Sequence, residues 1–428
     1  MNRQLPEDFL LLARTTMGDE RFARFMEAFD EEAPASIRLN PLKAQAMQAE
    51  GGVRVPWCYE GFYLPSRPNF TFDPLLHAGC YYVQEAASMF ISHVVRLLIP
   101  HPVAMLDLCA APGGKSTALL AALPEGSHLV SNEPVRQRFQ VLSENLAKWG
   151  YPNHTATNRY PRDFRRDGAM FDAILCDVPC SGEGMFRKDP QAVSEWSLQN
   201  VERCWRLQRE IVSDAWACLK PGGLLIYSTC TFNTLENEQN VRWMQQELGA
   251  EPLTVDIQAD WGITGSLLEG FDAPVYRFIP GLTRSEGLFM CALRKPGDAT
   301  KDRCAHDTAL LCRRHNAPST TSKGHFKNAK AEVPQPQEAL LASGPKGAVA
   351  IVDVDYPTAI AFLRREAITL SPDAPRGYVA VSFLGHPLGF AKNIGQRANN
   401  LYPKEWAIRS TYIPDAYSPV IISVDKDV

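Results

Sequence analysis

No stretch of this chain is both long and apolar enough to cross a bilayer. The most apolar run, Met89 to Ile99, holds His93 and Arg96 and falls short of the roughly 20 residues a spanning helix needs. The start, Met1-Asn2-Arg3-Gln4-Leu5-Pro6-Glu7-Asp8, lacks the apolar core of a secretion signal. The expectation is a cytoplasmic protein with no membrane partner. Charge of one sign is also lacking: 44 Lys and Arg meet 48 Asp and Glu, a net charge of -4. That balance neither announces nor excludes nucleic-acid binding, because a local basic face is what contacts phosphate. C-x-x-C pairs are absent, so Cys304, His306, Cys312 and His315 do not make a persuasive zinc site, and no metal is expected. Internal repeats are absent too. Without a signal peptide, the 11 cysteines read as reduced thiols and not as a disulfide framework.

What remains is a globular chain of 428 residues, 45% apolar and 21% charged, long enough for about two to four domains. Helical spacing runs from Glu7 to Phe29, and again from Val83 to Leu98. Ser36-Ile37-Arg38-Leu39-Asn40 alternates like a strand, and Gly51 to Asp73 suggests short strands and turns. From Ala104 strands and helices alternate. The strands are 104–108, 128–132, 171–177 and 224–229; the helices are 115–123, 135–149 and 205–218. Such βαβα order predicts an α/β, doubly wound, mainly parallel sheet, with ligands at the carboxyl ends of the strands. Pro296 to Pro345 is irregular, with Pro318-Ser319-Thr320-Thr321-Ser322-Lys323-Gly324 inside it. It reads as a linker or insertion. Strand-like runs at 348–352, 378–383 and 420–424 predict a small, mostly β C-terminal domain. The boundaries expected are 1–75, 76–296, 297–345 and 346–428.

The first strand ends in a Gly-rich loop, Cys109-Ala110-Ala111-Pro112-Gly113-Gly114-Lys115. Such a turn lets backbone approach a ligand at a helix N-terminus. Gly114-Lys115-Ser116-Thr117 resembles the end of a triphosphate-binding loop. The first glycine of that pattern is replaced by Cys109, and Pro112 stiffens the turn. A dinucleotide fingerprint of the G-x-G-x-x-G type is missing. Glu133 ends the second strand about 20 residues on, the spacing of a carboxylate on ribose hydroxyls. S-adenosylmethionine fits this better than ATP, having ribose and adenine but no phosphate. A tight turn without a ligand is the plain alternative.

Two cysteines stand at strand ends, in Asp177-Val178-Pro179-Cys180 and Ser228-Thr229-Cys230-Thr231. A thiolate is a good nucleophile, and its ordinary pKa of about 8.5 can be lowered by a cation or helix N-terminus. Added to C6 of a pyrimidine, it makes C5 an enamine-like carbon able to attack a methyl group. A second thiol can then assist the elimination. Asp177 is placed to hydrogen-bond the ring. Cys58, Cys80, Cys176, Cys204, Cys218 and Cys291 read as buried core residues.

In order along the chain, these motifs resemble the Sun-family RNA cytosine-5 methyltransferases: Ser36 to Asn40, Tyr82-Val83-Gln84-Glu85-Ala86-Ala87-Ser88, the 109–115 loop, Asn132-Glu133, Asp177 to Cys180, and Ser228 to Thr231 with Glu236-Asn237-Glu238. Arg187-Lys188-Asp189-Pro190, Ser285-Glu286-Gly287-Leu288-Phe289, Gly389-Phe390-Ala391-Lys392 and Asn399 to Lys404 resemble the RsmF-type bacterial 16S ribosomal RNA branch. The resemblance implies a Rossmann-like S-adenosyl-L-methionine-dependent methyltransferase core. It also implies an N-terminal α+β domain and a C-terminal PUA-like domain, both RNA-binding. It implies Cys230 as the nucleophile on C6, Cys180 in product release and Asp177 on the target base. Cys109, Ala110, Ala111, Pro112, Gly113, Gly114, Lys115, Glu133 and Arg138, with Asp177, would line the cofactor site. Val178 stands where relatives have Ala, and Gly281 where many have His. The family's acidic adenine contact has no clear counterpart; Tyr160 stands near its place and Asp163 is the nearest substitute.

The implied partner is ribosomal RNA or the small ribosomal subunit, met by a monomer. Arg159, Arg162, Arg165 and Arg166 form one basic cluster, with Arg187, Lys188, Lys392, Arg397 and Lys404 as further phosphate candidates. A tRNA cytosine, or a non-catalytic RNA-binding assembly factor, is the alternative reading.

Overall fold

The N-terminal segment folds into two helices and a small sheet because its apolar residues face two different directions. Helix α1 (Glu7–Met17) buries Phe9, Ala13 and Met17, and α2 (Asp19–Glu27) buries Phe25. The single helix expected over this segment is thus two, with the chain turning at Gly18. Both pack over the later thiol-bearing loops: Phe9 meets Phe186 and Trp196, and Phe25 meets Phe232. Strands β1 (Ser36–Leu39), β2 (Met47–Ala49), β3 (Val53–Val55) and β4 (Cys58–Tyr63) follow, then short α3 (Pro74–His77) and β5 (Tyr81–Val83). The antiparallel sheet runs β3-β4-β1-β5. All four residues of β1 are buried because side chains alternate. Ile37 and Leu39 join one core, while Arg38 reaches the opposite side to Thr117. The helical spacing that seems to start at Val83 begins instead as a strand, and α4 covers only Phe90–Leu98.

The computed structural model describes residues 5–298, 333–345, 349–410 and 412–424. Its central sheet contains β6 (Ala104–Asp107), β7 (His128–Asn132), β8 (His154–Thr157), β9 (Phe171–Asp177), β10 (Leu219–Thr229), β11 (Glu251–Leu253), β12 (Tyr276–Phe278) and β13 (Leu288–Arg294). The order is β11-β13-β10-β9-β6-β7-β8, with β12 on β13. Strands β6 to β10 pair in parallel, and β13 returns antiparallel. Helices α5 (Gly114–Ala122), α6 (Arg136–Trp149), α7 (Pro161–Arg166), α8 (Pro190–Glu195), α9 (Leu198–Ala217) and α10 (Glu238–Leu248) complete the body. Helix α9 starts well before Trp205, where Ser197 Oγ accepts from the N–H of Asn200 at 3.1 Å. Chain growth reverses between β6 and β9, and ligands bind at such a switch point.

Beyond the body, β14 (Ala350–Asp353), β15 (Gly377–Phe383), β16 (His386–Asn393) and β17 (Ala398–Asn400) form one sheet. The helix Tyr356–Leu363 packs with it through Ile360, Phe362 and Leu363. The same core holds Ile37, Leu39, Phe62 and Tyr81 of the N-terminal sheet. The last strand, β18 (Ile421–Ser423), pairs with β2, and Tyr356 Oη donates to Phe72 O at 3.1 Å. The possible zinc residues Cys304, His306, Cys312 and His315, most of the expected linker, and Ala348 lie outside the described residues. Among the described residues no helix is long and apolar enough to cross a membrane, and none of the His, Cys, Asp and Glu groups has a metal-holding arrangement.

A shared core makes the C-terminal region structural as well as surface-forming. A chain ending at Pro345 should bind a hydrophobic dye and unfold at a lower urea midpoint, because Ile37, Leu39 and Phe62 lose their cover. Unchanged dye binding and midpoint would show that the N-terminal sheet stands alone.

Candidate active site

The loop after β6 is held open by backbone geometry and three pins. Gly113 caps α5 at φ 114, and a Cβ there would stand 3.3 Å from Leu142 Cδ1. Ala110 N donates to Asn132 O at 2.8 Å, Arg138 Nη2 to Ala111 O at 2.9 Å, and Asn145 Nδ2 to Pro112 O at 2.8 Å. The first N–H groups of α5, from Gly114 onward, lack acceptors within the helix and carry the positive end of its dipole. Cys109 lines the loop, but burial, with Cys176 and Asp107 nearby, pushes its thiol well up, so it stays protonated.

Glu133 follows β7 and its side chain is 1% exposed. Its Oε1 accepts from Val135 N at 2.9 Å. Oε2 is buried without a hydrogen-bond partner, 3.4 Å from Arg138 Nη1. A buried carboxylate oxygen with spare capacity suits a pair of ribose hydroxyls. Asp107, given no role by the sequence reading, ends β6 beside the loop. Its Oδ2 accepts from Ser116 Oγ at 2.6 Å and its Oδ1 has no partner. Burial pushes its carboxyl up to about 7, against the Ser116 hydrogen bond. The donor set thus fits a nucleoside cofactor.

Cys180 and Cys230 face each other with sulfurs 3.3 Å apart. The parallel register sets Asp177 opposite Ser228, whose Oγ donates to Asp177 Oδ1 at 2.7 Å. Lys115 Nζ donates to Asp177 Oδ2 at 2.8 Å. Burial works against the Lys115 ammonium, but Asp177 and then Cys230 outweigh it, and the net direction is upward. A cation, a carboxylate and two thiols therefore stand together at the strand ends. The six cysteines expected in the core are all buried.

The structure also adds a polar network beneath the thiols. Glu183, Glu236, Gln208 and Asn233 are buried there and bonded to one another's loops. Gln208 was visible in principle, since it occupies the apolar face of α9 with Cys204, Ile211 and Val212. The basic cluster reads differently in three dimensions. Arg159 pairs with Asp167, Arg165 with Asp214 at 2.9 Å, and Arg166 with Asp163 at 3.3 Å. Arg187 is buried against Glu286 at 2.8 Å. Arg159 and Arg187 are thus largely enclosed by their pairs, whereas Arg165 and Arg166 stay more than half exposed and Arg162 is exposed beside the Tyr160 ring. Asp163 is likewise tied to Arg166 and to the backbone N–H of Tyr160.

The Glu133 geometry generates a binding prediction. Glu133→Ala should weaken S-adenosylhomocysteine binding by about 2 kcal/mol, roughly thirtyfold, measured by calorimetry. Undiminished affinity would separate Glu133 from the ligand.

The chain matches the model of the 16S rRNA methyltransferase RsmB/F over residues 96–294. It matches the N-terminal domain of 16S rRNA methyltransferase RsmF over 5–86 and the methyltransferase RsmF PUA domain over 349–408. It is 36% identical to a ribosomal RNA small subunit methyltransferase F of Pectobacterium atrosepticum over 68% of this chain and 63% of that one. To those of Cronobacter sakazakii and Salmonella agona it is 31% and 32% identical, over 94% of this chain and 96% of theirs. Among solved structures it is similar to a methyltransferase homolog from Pyrococcus horikoshii, with TM-score 0.56 and 25% identity over 68% of this chain and 100% of that one. NSun6 from the same organism, solved with SFG, shares the fold at TM-score 0.58 and 21% identity over 70% of this chain and 100% of that one. The three model matches and the relatives covered over almost their whole length place this chain in the RsmB/F family of 16S rRNA methyltransferases, within its RsmF branch.

Proposed function

We propose that the protein methylates C5 of a cytosine in 16S ribosomal RNA through a covalent bond between Cys230 and C6. The observation that carries this reading is the 3.3 Å approach of Cys180 and Cys230 beside the Asp177–Lys115 pair. S-adenosylmethionine, when bound, supplies an electrophilic methyl group. The 109–115 loop and Glu133 would hold it, with Asp107 alongside. The protein's own residues have the remaining work. Cys230 attacks C6, so a sulfur–carbon bond forms and electron density moves to C5. After C5 is methylated, the C5 proton leaves and the sulfur–carbon bond breaks, restoring the aromatic ring. Asp177 accepts from or shares a proton with the ring as charge develops.

The resemblance to the Sun-family enzymes, carried by Ser228-Thr229-Cys230-Thr231, supports Cys230 in the first role. The Cys180 thiol is pushed well above its ordinary value by its hydrogen bond to Cys230, and then by burial. Either sulfur can be the donor in this contact, so the geometry alone does not rank the two thiols. The Lys115 ammonium lies within electrostatic reach of Cys230.

The RNA must bring its cytosine unstacked to these thiols, at a cost of a few kcal/mol. Phosphate contacts fall to exposed cations, Arg162, Arg165 and Arg166 of α7 together with Lys188, Lys392, Arg397 and Lys404. Small-subunit RNA is favoured over tRNA by the RsmF-type domains at both ends. Intact thiols argue against a purely structural assembly factor.

Cys230→Ala should abolish the enzyme–RNA adduct and lower turnover about a thousandfold or more. Cys180→Ala, given S-adenosylmethionine and RNA, should accumulate the adduct as a shifted band on a denaturing gel. The reverse pattern would exchange the roles, and unaffected methylation in both would end the covalent reading. Bisulfite sequencing of 16S RNA and tRNA from a deletion strain identifies the target.

A further inference from the structure

Beneath the two thiols lie two glutamates that no cation neutralises. Glu183 is 2% exposed and Glu236 is 0% exposed, and among the described residues neither forms an ion pair. Each belongs to one thiol loop and binds the other. Glu183, just beyond Cys180, accepts from the backbone N–H of Phe232 at 2.6 Å and of Asn233 at 3.1 Å. Glu236, just beyond Cys230, accepts from the backbone N–H of Ser181 at 3.1 Å. Between them Gly184 N donates to Cys230 O at 2.7 Å. A Cβ on Gly184 would stand 2.7 Å from that same oxygen, so only glycine fits.

The two carboxyl groups also share donors. Asn233 Nδ2 lies 3.0 Å from Glu183 Oε1 and 2.8 Å from Glu236 Oε1. Ser181 Oγ lies 2.5 Å from Glu236 Oε1 and 3.4 Å from Glu183 Oε1. Two like charges this close, in a dry interior, do not both ionise without a large cost. The bonding says where a proton belongs. The close partners of Glu183 are the N–H groups of Phe232, Asn233 and Trp196, which suit an anion. Glu236 Oε2 likewise receives Ser181 N and Gln208 Nε2. Glu236 Oε1 alone has a close hydroxyl, that of Ser181, which can accept a proton and pass its own to Thr231 Oγ1 at 2.8 Å.

We propose that Glu183 and Glu236 are positioning residues: a reciprocal clasp, holding one proton between them, that keeps the Cys180 and Cys230 sulfurs within reach of each other. The proposal rests on the reading of these cysteines as the working thiols. It locates the pair's proton on Glu236. The titratable groups facing Glu236 are Glu183, Cys180 and Cys230 of the two loops, Tyr227 of β10 and Cys204 of α9. Burial, then the charge of Glu183, raises its carboxyl from 4.5 to about 7. An acid raised by folding stabilises the fold most below 4.5, and that contribution fades as pH climbs through about 7.

The test uses the full chain without RNA or cofactor. Diamide takes the two thiol hydrogens, is reduced to its hydrazine, and leaves a Cys180–Cys230 disulfide, so the rate of that bond reports how the sulfurs are held. Glu236→Gln, a neutral isostere whose amide can donate to Ser181 Oγ, should cross-link within about twofold of the parent, whereas Glu236→Ala should be about tenfold slower or worse. Thermal melts supply the second measurement. The melting temperature of Glu236→Gln should gain on the parent between about pH 5.5 and about pH 8.5, because only the parent has a proton to lose there. Parent-like cross-linking by Glu236→Ala, or a melting difference flat across that range, overturns the proposal. If Glu236→Ala does not fold, the melts of Glu236→Gln decide. A protein that cross-links normally yet forms no RNA adduct would refute the covalent reading and leave the clasp standing.

Discussion

The point at which the central sheet reverses its direction of growth governs everything else in the molecule. Chain that leaves β6 moves one way to β7 and β8, and chain that enters β9 starts again on the other side. Loops from β6 and β9 therefore diverge above a gap, and no crossing connection fills it. Parallel pairing then aligns the strand ends, so Asp107, Asp177 and Ser228 stand on three successive strands. The thiols come one to three residues later, on loops too short to wander. Chemistry needs sub-ångström placement, and rigid strand ends supply it more readily than long loops do.

Placement extends outward through buried cations. Arg38 is 1% exposed, yet its close partners are neutral: Gln84 Oε1 at 2.8 Å, Thr117 Oγ1 at 2.7 Å and the Trp149 ring. Burial lowers its guanidinium to about 10, so it stays charged at neutral pH. It joins β1 to the first turn of α5, directly behind the Gly-rich loop. Lys43 does similar work, donating to Ala78 O at 2.8 Å and Lys148 O at 2.6 Å. The N-terminal sheet is thereby fixed to the catalytic body on one face and to the C-terminal core on the other.

Most of the body was legible because its inner strands are continuous apolar runs of the right length. Edge strand β8, His154-Thr155-Ala156-Thr157, escaped notice because it is polar and only half buried. The early helix broke at Gly18, a residue that helical spacing alone does not weigh. The thiols and the loop were readable as motifs, since those residue types in that order have few other uses. Glu183 and Glu236 were not assigned any role, because an acidic residue in a loop looks solvated until its donors are known. The basic cluster is only partly legible: sequence displays the cations, but Asp167 draws Arg159 inward only in the fold, while Arg162, Arg165 and Arg166 stay exposed. The union of the first and last segments in one core was invisible for a related reason. It depends on contacts between distant parts of the chain, and no local pattern encodes those.

That union bears on how the protein is born. Tyr417 Oη approaches Asp73 across 344 residues of sequence, and β2 waits still longer for its partner β18. At roughly 5–20 residues per second, that interval of translation lasts on the order of tens of seconds. Meanwhile the catalytic body can close over its own sheet, while Ile37, Leu39 and Phe62 remain uncovered on the nascent chain. Vectorial synthesis thus leaves the earliest-made sheet among the last parts to be completed, and its exposed face is where a chaperone has the longest opportunity to bind.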